Sequence, residues 1–362
     1  MLKNAKIVTR LALVLLFWNP GGAIADGQSD KHPAPDARRE FIRRAQVWTR
    51  PDIPAVDFKT GPKGRDAFQL NEMVTCDYVQ ARLSGHTRKF ACALANGDVV
   101  KVRYGVDNGE VEGSVLATRL LWALGFTADR VYPVRVTCRG CSDDPWKIRQ
   151  SVSGQRVFDP AVIERKPKGT KLESETRGWS WPELDLVDEA AGGATIAQRD
   201  GLKLLAVLMQ HTDSKSEQQR LLCLPGGKVD PGAACTKPLL MLHDVGVTFG
   251  QANQFNSDST GSVNFEKWSH TPIWKAASAC EGNLSRSHTG TLGNPFISES
   301  GRRFLADLLV QLTDAQLHDL FEVARVDRRS RKPGSAEPPA SVDEWIAAFK
   351  QKRDVIVATR CT

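Results

Sequence analysis

The eight cysteines of this 362-residue chain constrain its fold more than any other feature. They all follow a leader in which three basic residues precede the apolar run 11–18 and the sequence Ala-Ile-Ala occupies positions 23–25. A basic start, a short apolar core and a small-residue end are typical of a secretory signal peptide. We therefore expect residues 1–25 to be removed and the chain to be exported to a periplasmic or extracellular space. An even number of cysteines in such a compartment favours disulfides.

The pairing of the cysteines cannot be read from the sequence, because eight cysteines allow roughly a hundred connectivities. Cys138 and Cys141 are separated by two residues, a spacing that suits a disulfide, a zinc site or a redox pair. A zinc site of this kind would need a second closely spaced pair, and Cys223 and Cys235 lie too far apart to supply one. A structural disulfide is the favoured interpretation, and the other two stay open.

Charge and hydropathy narrow the class of protein. The net charge is +7, and removing the leader takes away three of its positive charges. This mild excess does not indicate a nucleic-acid groove, in which Lys and Arg are concentrated. The leader's apolar run is shorter than the roughly 20 residues that a membrane span needs, and no later segment is long enough. We therefore predict no nucleic-acid partner and no membrane span after cleavage.

A hairpin is the clearest structural signal in the N-terminal third. Asn96-Gly97, a strong turn signal, separates two apolar runs, 90–95 and 98–104. A two-residue loop would place Cys92 opposite Lys101. Lys101 is then in the middle of a strand, on the same face as Arg103. Such a lysine is ordinarily the polar side of a half-exposed strand.

A buried helix is expected after the hairpin. Asp107-x-x-Glu110 resembles a capping box, the following residues are apolar on most sides, and Gly125 is well placed to end the helix. Glu110 and Glu112 are about 200° apart around such a helix, so both cannot face inward. If Glu110 caps the helix, Glu112 is left to meet a buried partner.

The rest of the sequence predicts short strands and, toward the C-terminus, mainly helices. Short strands are predicted at 130–136 and 157–163, a strand pair at 221–224 and 238–243, and helices that begin at Thr195-x-x-Gln198, Gly301, Thr313-x-x-Gln316 and Ser341-x-x-Glu344. The length after cleavage exceeds one ordinary core, so two lobes are expected. The predicted segments are a signal peptide at 1–25, a loosely packed, irregular lead-in at 26–65, a first lobe at 66–165, a second lobe at 166–327, an exposed linker at 328–340 and a C-terminal helix packed on the second lobe at 341–362.

Residues 211–218, His-Thr-Asp-Ser-Lys-Ser-Glu-Gln, carry the most specific pattern, and Asp244-Val245-Gly246 follows them. Together they resemble the H-R-D-L-K-x-x-N catalytic loop and the D-F-G motif of protein kinases. The chain is identified as a divergent, secreted member of the protein-kinase-like fold. The resemblance implies an α+β fold of two lobes: a small antiparallel-sheet N-lobe with one buried helix, and a mainly helical C-lobe, braced here by disulfides.

The resemblance also implies a role for each matching residue. Lys101 would hold the phosphates of ATP, and an ion pair with Glu112 would fix its position. Asp244 would bind Mg or Mn, with Gln218 offering its carbonyl oxygen to a second metal. The remaining roles fall on the catalytic loop: Asp213 accepts the proton of the acceptor hydroxyl, Lys215 steadies the moving phosphate, and His211 braces the loop through its ring nitrogens.

Three departures from the kinase pattern stand out. Gln218 replaces the usual Asn, which keeps the amide but adds a methylene. The glycine-rich phosphate cover is reduced to Ser84-Gly85-His86, so nucleotide contacts there are unassigned. The insertion between Asp213 and Asp244 contains Cys223 and Cys235, which we expect to pair as a local disulfide.

These residues predict an exported ATP-dependent phosphotransferase that acts on a hydroxyl of a protein or a small molecule. Two alternatives keep the same fold: a pseudokinase-type binding module without transfer, and an AMP transferase. The retained Lys101, Asp213 and Asp244 favour a phosphotransferase, whereas Gln218 and the scarcity of ATP outside the cytoplasm favour the pseudokinase. The oligomeric state is not predicted by any feature of the sequence.

Overall fold

A closed barrel of five strands, followed by a mainly helical part, makes up the mixed α+β fold seen in a computed structural model. The structure describes residues 35–172, 177–227, 234–250, 263–284, 289–330 and 336–362. The predicted signal peptide and the proposed cleavage point lie outside these residues.

The barrel strands run in the order β1-β2-β3-β5-β4. Their bounds are Met73–Val79 (β1), Lys89–Leu94 (β2), Val99–Tyr104 (β3), Arg130–Arg139 (β4) and Gln155–Arg165 (β5). Most neighbours are antiparallel, but β1 and β4 pair in parallel, from Met73 opposite Arg135 to Asp77 opposite Arg139. This parallel pair closes the sheet into a barrel, which the prediction of a small antiparallel sheet did not include.

The barrel interior is filled by apolar side chains and by two disulfides. Every second residue of β3, including Val100 and Val102, points into this core. The disulfides join Cys76 to Cys92 and Cys138 to Cys141. The Cys138-x-x-Cys141 segment is therefore a disulfide, as the favoured interpretation held.

The β2–β3 hairpin forms where it was predicted, but its register is shifted by one residue. Leu94 donates its N–H to Asp98, so the loop has three residues and Gly97 has φ +86°. Such loops commonly place a glycine at positive φ. Lys101 consequently lies opposite Ala91 instead of Cys92. Since paired residues share a face, this register puts Lys101 on the outside of the barrel and Cys92 inside.

The helix after β3, α2, spans Gly109–Ala123 and is buried on almost every side, as predicted. Its N-cap is Asn108, whose side chain accepts the N–H of Glu110, instead of the predicted Asp107. Gly125 follows the last turn with φ +84°, as expected for a helix-ending glycine.

The other helices and strands surround a second, larger core. Their bounds are Pro35–Arg43 (α1), Thr170–Lys171 (β6), Ile196–Met209 (α3), Gln219–Cys223 (β7), Pro238–Leu242 (β8), Phe265–His270 (α4), Trp274–Ala276 (β9), Glu281–Gly282 (β10), Glu299–Leu309 (α5), Asp314–Val323 (α6) and Val342–Ala358 (α7). The predicted capping boxes at Thr195, Thr313 and Ser341 are all present. Helix α7 packs against α4, α5 and α6.

The described part of the lead-in, 35–65, is more ordered than the sequence suggested. Helix α1 buries Phe41 and Ile42, and Phe58 is also fully buried. Gln46 forms a bridge to Leu239 of β8. The expectation of a loosely packed lead-in is therefore wrong, because its few apolar residues complete the larger core.

The segment predicted as an exposed linker also departs from expectation. Arg329 is 4% exposed and forms an ion pair with Glu112 of α2. A run of basic residues and prolines indicated solvent exposure, but one of its arginines is needed to compensate a buried carboxylate. Residues 331–335 lie outside the described part of the chain.

Four disulfides brace the fold. In addition to the two in the barrel, Cys223 pairs with Cys235, confirming the predicted local disulfide, and Cys280 pairs with Cys361 across 81 residues. This content fits an exported protein. Among the described residues, no helix is both long enough and apolar enough to cross a membrane.

Candidate active site

The outer face of β3 supplies two cations to one end of the barrel. Because Val100 and Val102 face inward, Lys101 and Arg103 project from the opposite side of the strand. Glu164 of β5 lies directly across from Lys101, and the Lys101 Nζ to Glu164 Oε2 distance is 2.7 Å. The lysine is thus held by a neighbouring strand of the barrel.

Arg103 is the centre of the site. Its side chain is 1% exposed. Nε donates to Glu110 Oε2 at 2.9 Å, and one terminal nitrogen donates to Glu164 Oε2 at 2.5 Å. The other terminal nitrogen donates to Asp244 Oδ1. One planar guanidinium therefore joins β3, α2, β5 and the Asp-Val-Gly turn, which suits the fork of donors that arginine presents.

This network sets the ionisation of its acids. Burial alone would raise the pKa of Glu164, but the charges of Lys101 and Arg103 lower it further than burial raises it. The pKa of Asp244 is likewise well below its usual range, because Arg103 and Lys101 outweigh the effect of burial. Both carboxyl groups are therefore ionised at neutral pH. The three carboxylates keep the pKa of Arg103 above its ordinary value despite its complete burial.

The predicted ion pair between Lys101 and Glu112 is wrong. Glu112 Oε2 lies 3.2 Å from an Arg329 terminal nitrogen, and burial raises the pKa of Glu112 to about 7. Because Asn108 caps the helix, Glu110 is not used for capping and turns toward Arg103 instead. The acid of α2 that reaches the site is Glu110, and its partner is Arg103.

The polar loop that follows α3 begins with a buried ring. His211 is fully buried and lies 6.1 Å from the Trp181 ring, measured between centroids. Neither of its ring nitrogens has a hydrogen-bond partner among the described residues, so the expected bracing through those nitrogens is wrong. Burial lowers the pKa of His211 to about 4. The ring is a neutral packing element.

The next residues of the loop do come together. Residues Ser216–Gln218 form a single 3-10 turn that folds the chain back on itself. Asp213 Oδ2 accepts hydrogen bonds from Gln218 Nε2 at 2.9 Å and from Lys215 Nζ at 3.3 Å. The offsets that suggested a catalytic loop thus produce one cluster of an acid, a cation and an amide at a partly exposed surface.

The pairing of β7 with β8 links this cluster to His243, the residue before Asp244. Gln219 pairs with Leu242, and the N–H of His243 donates to the carbonyl oxygen of Gln218 at 2.7 Å. The backbone of Asp244 then turns with φ +55°, a left-handed conformation that aspartate tolerates better than most residues. The side chain of Asp244 is 25% exposed, so it remains reachable beside Arg103.

Two glycines hold the Asp-Val-Gly turn against α2. A Cβ added to Gly246 would lie 2.9 Å from the Cβ and Cγ of Glu110, and one added to Gly113 would lie 2.3 Å from the carbonyl oxygen of Gly246. Neither glycine has a positive φ. Close approach of helix and turn, instead of backbone conformation, therefore requires glycine at both positions.

A buried pair lies behind Asp244. His243 Nδ1 is 2.5 Å from Asp129 Oδ2, and Asp129 Oδ1 has no hydrogen-bond partner within the described part of the chain. Asp129, His243 and Glu164 could each place one ligand atom within 4.8 Å of the others. We assign no metal there, because Glu164 is already compensated by Lys101 and Arg103.

Asp244 and Gln218 each offer an oxygen of the kind that Mg²⁺ or Mn²⁺ binds. Hard divalent cations bind carboxylate and carbonyl oxygens, and the Gln218 amide nitrogen is engaged by Asp213, so its carbonyl oxygen is the atom suited to a metal. Asp244 is ionised and partly exposed. One of its oxygens is bound to Arg103, so a metal has to share this carboxylate with the guanidinium.

The site contains residues that the sequence did not identify: Arg103, Glu110, Asp129, Glu164 and His243. A usable signal existed for Arg103, because residues two apart on a strand share a face and Lys101 was already a candidate. No local signal marks Glu164 or Asp129, since their roles depend on strand pairing between distant segments.

No protein-family model and no curated protein sequence matches the chain. Among solved structures, the chain is similar to the Helicobacter pylori proinflammatory kinase CtkA, at 8% identity and a TM-score of 0.40 over 80% of this chain and 95% of that one. It is also similar to the Golgi casein kinase with Mn and ADP bound, at 10% identity and a TM-score of 0.30 over 79% of this chain and 72% of that one. These similarities are coarse, and the residues of the site are assigned from this chain's own contacts.

Proposed function

We propose that the protein is an exported phosphotransferase with a kinase-like fold, which moves the terminal phosphoryl group of ATP to a hydroxyl. One observation carries the proposal. Arg103 joins Asp244 to the strand that presents Lys101, and a backbone hydrogen bond links Gln218 of the Asp213 cluster to His243, next to Asp244. These contacts between two sequence motifs and a strand lysine support one shared site, here called the cleft, of the kind that phosphoryl transfer requires.

Each residue at the cleft has a chemical role in this proposal. Lys101, 23% exposed, binds phosphate oxygens, and Glu164 fixes its amine in place of the predicted Glu112. Asp244 and Gln218 hold Mg²⁺ or Mn²⁺. A bound metal neutralises the charge that develops on the phosphate oxygens. Arg103 positions Asp244 and Glu110 without needing to touch the nucleotide.

The transfer step uses Asp213 and Lys215. The acceptor oxygen forms a bond to the terminal phosphorus as the bond from that phosphorus to its bridging oxygen breaks, and ADP leaves. The acceptor proton passes to Asp213, whose carboxylate is partly exposed. Lys215 lies 3.3 Å from the Asp213 carboxylate, where it can stabilise negative charge on the moving group. The products are a phosphate ester, ADP and a proton.

Labelled ATP tests the proposal. The full chain is incubated with Mn²⁺ or Mg²⁺, a panel of serine-, threonine- and tyrosine-containing peptides and simple polyols, and ATP labelled on the γ- or the α-phosphate. We expect γ-label on an acceptor or on the chain itself, and loss of that label in Asp213→Asn. Glu217→Gln is a matched control, because Glu217 lies in the same turn. Incorporation of α-label instead would identify an AMP transferase and overturn the kinase assignment.

A second candidate is a nucleotide-binding module without transfer. The hydrogen bond from Arg103 to Asp244 favours it, because a guanidinium already compensates the carboxylate that a metal needs. The candidate predicts nucleotide binding that does not depend on Mn²⁺ or Mg²⁺, with no label transferred from either position of ATP.

A further inference from the structure

The connection between β1 and β2, residues 80–88, is where protein kinases carry the glycine-rich cover over the phosphates. Here it has one glycine, Gly85, with φ +91°. The first residue of β2 is Lys89, which pairs directly with Arg103 of β3. Because paired residues share a face, Lys89 projects toward the same cleft as Arg103 and Lys101.

Lys89 is largely buried and has no acid in direct contact with its amine. It is 5% exposed, and its amine forms no ion pair or hydrogen bond within the described part of the chain. The amine is 5.7 Å from the centroid of the Trp146 ring and lies 2.6 Å from where a Cβ on Gly85 would be. Glycine at position 85 therefore leaves room for this amine under the β1–β2 connection.

The β1–β2 connection itself contains a buried unsatisfied group. Thr87, two residues before Lys89, is 1% exposed, and its hydroxyl has no hydrogen-bond partner among the described residues. Buried polar groups without partners are uncommon in proteins. A buried amine and a buried hydroxyl two residues apart are donors available to a ligand that carries acceptor oxygens.

Lys89 is the cation of the cleft that has no direct ion pair. Glu110, Glu164 and Asp244 are all bound by Arg103. Burial and the Arg103 guanidinium lower the pKa of Lys89, and the charges of Glu110 and Asp244 oppose that shift without a direct contact. A largely buried amine is stabilised when an acceptor joins it. A ligand with charged oxygens would supply that direct contact.

We infer that Lys89 binds the terminal phosphates of the nucleotide and, with the Thr87 hydroxyl, replaces the glycine-rich cover; this rests on the proposed function. The surroundings of Lys89 support the terminal position. Lys89 is paired with Arg103, which binds Asp244. The charge of Asp244 also acts on the Lys89 amine, so the amine lies within electrostatic reach of the proposed metal ligand.

Titration calorimetry of the full chain with ATP, ADP and AMP in Mn²⁺ tests this assignment. We expect Lys89→Met to weaken ATP binding roughly tenfold to hundredfold, as for loss of a charge-assisted hydrogen bond, and to change AMP binding less than about threefold. Lys89→Arg should keep most of the ATP affinity. Lys147→Met is the matched control, because Lys147 is 72% exposed and adjoins Trp146, and its affinities should equal the wild type's.

The outcomes separate the two proposals. If the wild type binds ATP with metal and Lys89→Met binds it equally well, the Lys89 assignment is overturned and the proposed function stands. Equal losses for ATP, ADP and AMP would also overturn it, since they indicate a general structural effect. If the wild type binds no nucleotide with Mn²⁺ or Mg²⁺, the proposed function itself fails. Urea unfolding of Lys89→Met checks the fold, and stability close to that of the wild type is expected, because the amine has no direct ion pair or hydrogen bond to lose.

Discussion

Replacing Arg103 by methionine should destabilise the protein more than any other single change at the cleft. Methionine keeps much of the side-chain volume but removes the guanidinium that binds Glu110, Glu164 and Asp244. Breaking a buried ion pair by removing one partner costs about 3–5 kcal/mol. Without Arg103, Glu164 still has its ion pair with Lys101 at 2.7 Å, and Asp244 is partly exposed to solvent. We therefore expect a loss of free energy of unfolding at the lower end of this range, about 3 kcal/mol at pH 7.

The pH dependence of this loss follows from the acids involved. In the wild type, the lowered pKa values of Glu164 and Asp244 give stability that is present above about pH 4 and lost as the pH falls through the lower, folded-state values. Without Arg103 those pKa values rise, and protonated carboxyl groups need no cation. The difference between wild type and variant should therefore shrink as the pH falls from 7 toward 4.

Urea unfolding under non-reducing conditions measures both effects. Lys101→Met is the matched control, because Lys101 has one partner and is partly exposed, and because Glu164 stays bound to Arg103 when Lys101 is replaced. This substitution should lower the free energy of unfolding by about 1 kcal/mol or less. A free energy of unfolding of Arg103→Met within about 1 kcal/mol of the wild-type value would show that Arg103 does not hold the acids together. A difference between variant and wild type that stayed constant from pH 7 to pH 4 would contradict the role given to the ionised acids.

Three further predictions concern stability. The pKa of His211 is lowered from 6.5 to about 4, so its contribution to the free energy of unfolding is full above pH 6.5 and falls by up to about 3 kcal/mol as the pH drops toward 4. In His211→Phe, the free energy of unfolding measured in urea should therefore vary less with pH across that range. The same pH dependence as in the wild type would contradict this prediction. The disulfide between Cys280 and Cys361 joins residues 81 positions apart, and replacing both cysteines by serine should lower the free energy of unfolding by about 4 kcal/mol in urea under non-reducing conditions. A loss under about 1 kcal/mol would be inconsistent with this value. Gly113→Ala should cost about 1–3 kcal/mol, because its Cβ would lie 2.3 Å from Gly246 O, and stabilisation by alanine would refute that close packing.

The elements that the sequence predicted well are those that local contacts determine. The capping boxes at Thr195, Thr313 and Ser341 each join a side chain to the backbone three residues away, so their pattern is visible in a short window. The Asp213 cluster is local for the same reason, since a single turn brings Gln218 back to Asp213.

The wrong assignments depend on shifts of one residue or on distant pairing. Moving the helix cap from Asp107 to Asn108 frees Glu110 and places it, instead of Glu112, at the cleft. Glu164 reaches Lys101 only because β5 pairs with β3 across some sixty residues of sequence. The parallel β1–β4 pair that closes the barrel is equally nonlocal, and strand periodicity does not encode it.

The proposed function depends most directly on Asp244 binding a metal for a nucleotide in this cleft. Titration calorimetry of ATP into the full chain, with Mn²⁺ and with EDTA, tests it in the wild type, in Asp244→Asn and in Asp143→Asn, a control at an exposed aspartate. We expect metal-dependent ATP binding in the wild type and the control, and at least about a tenfold loss of ATP affinity in Asp244→Asn. Equal binding by Asp244→Asn, or binding that is unaffected by EDTA, would contradict it.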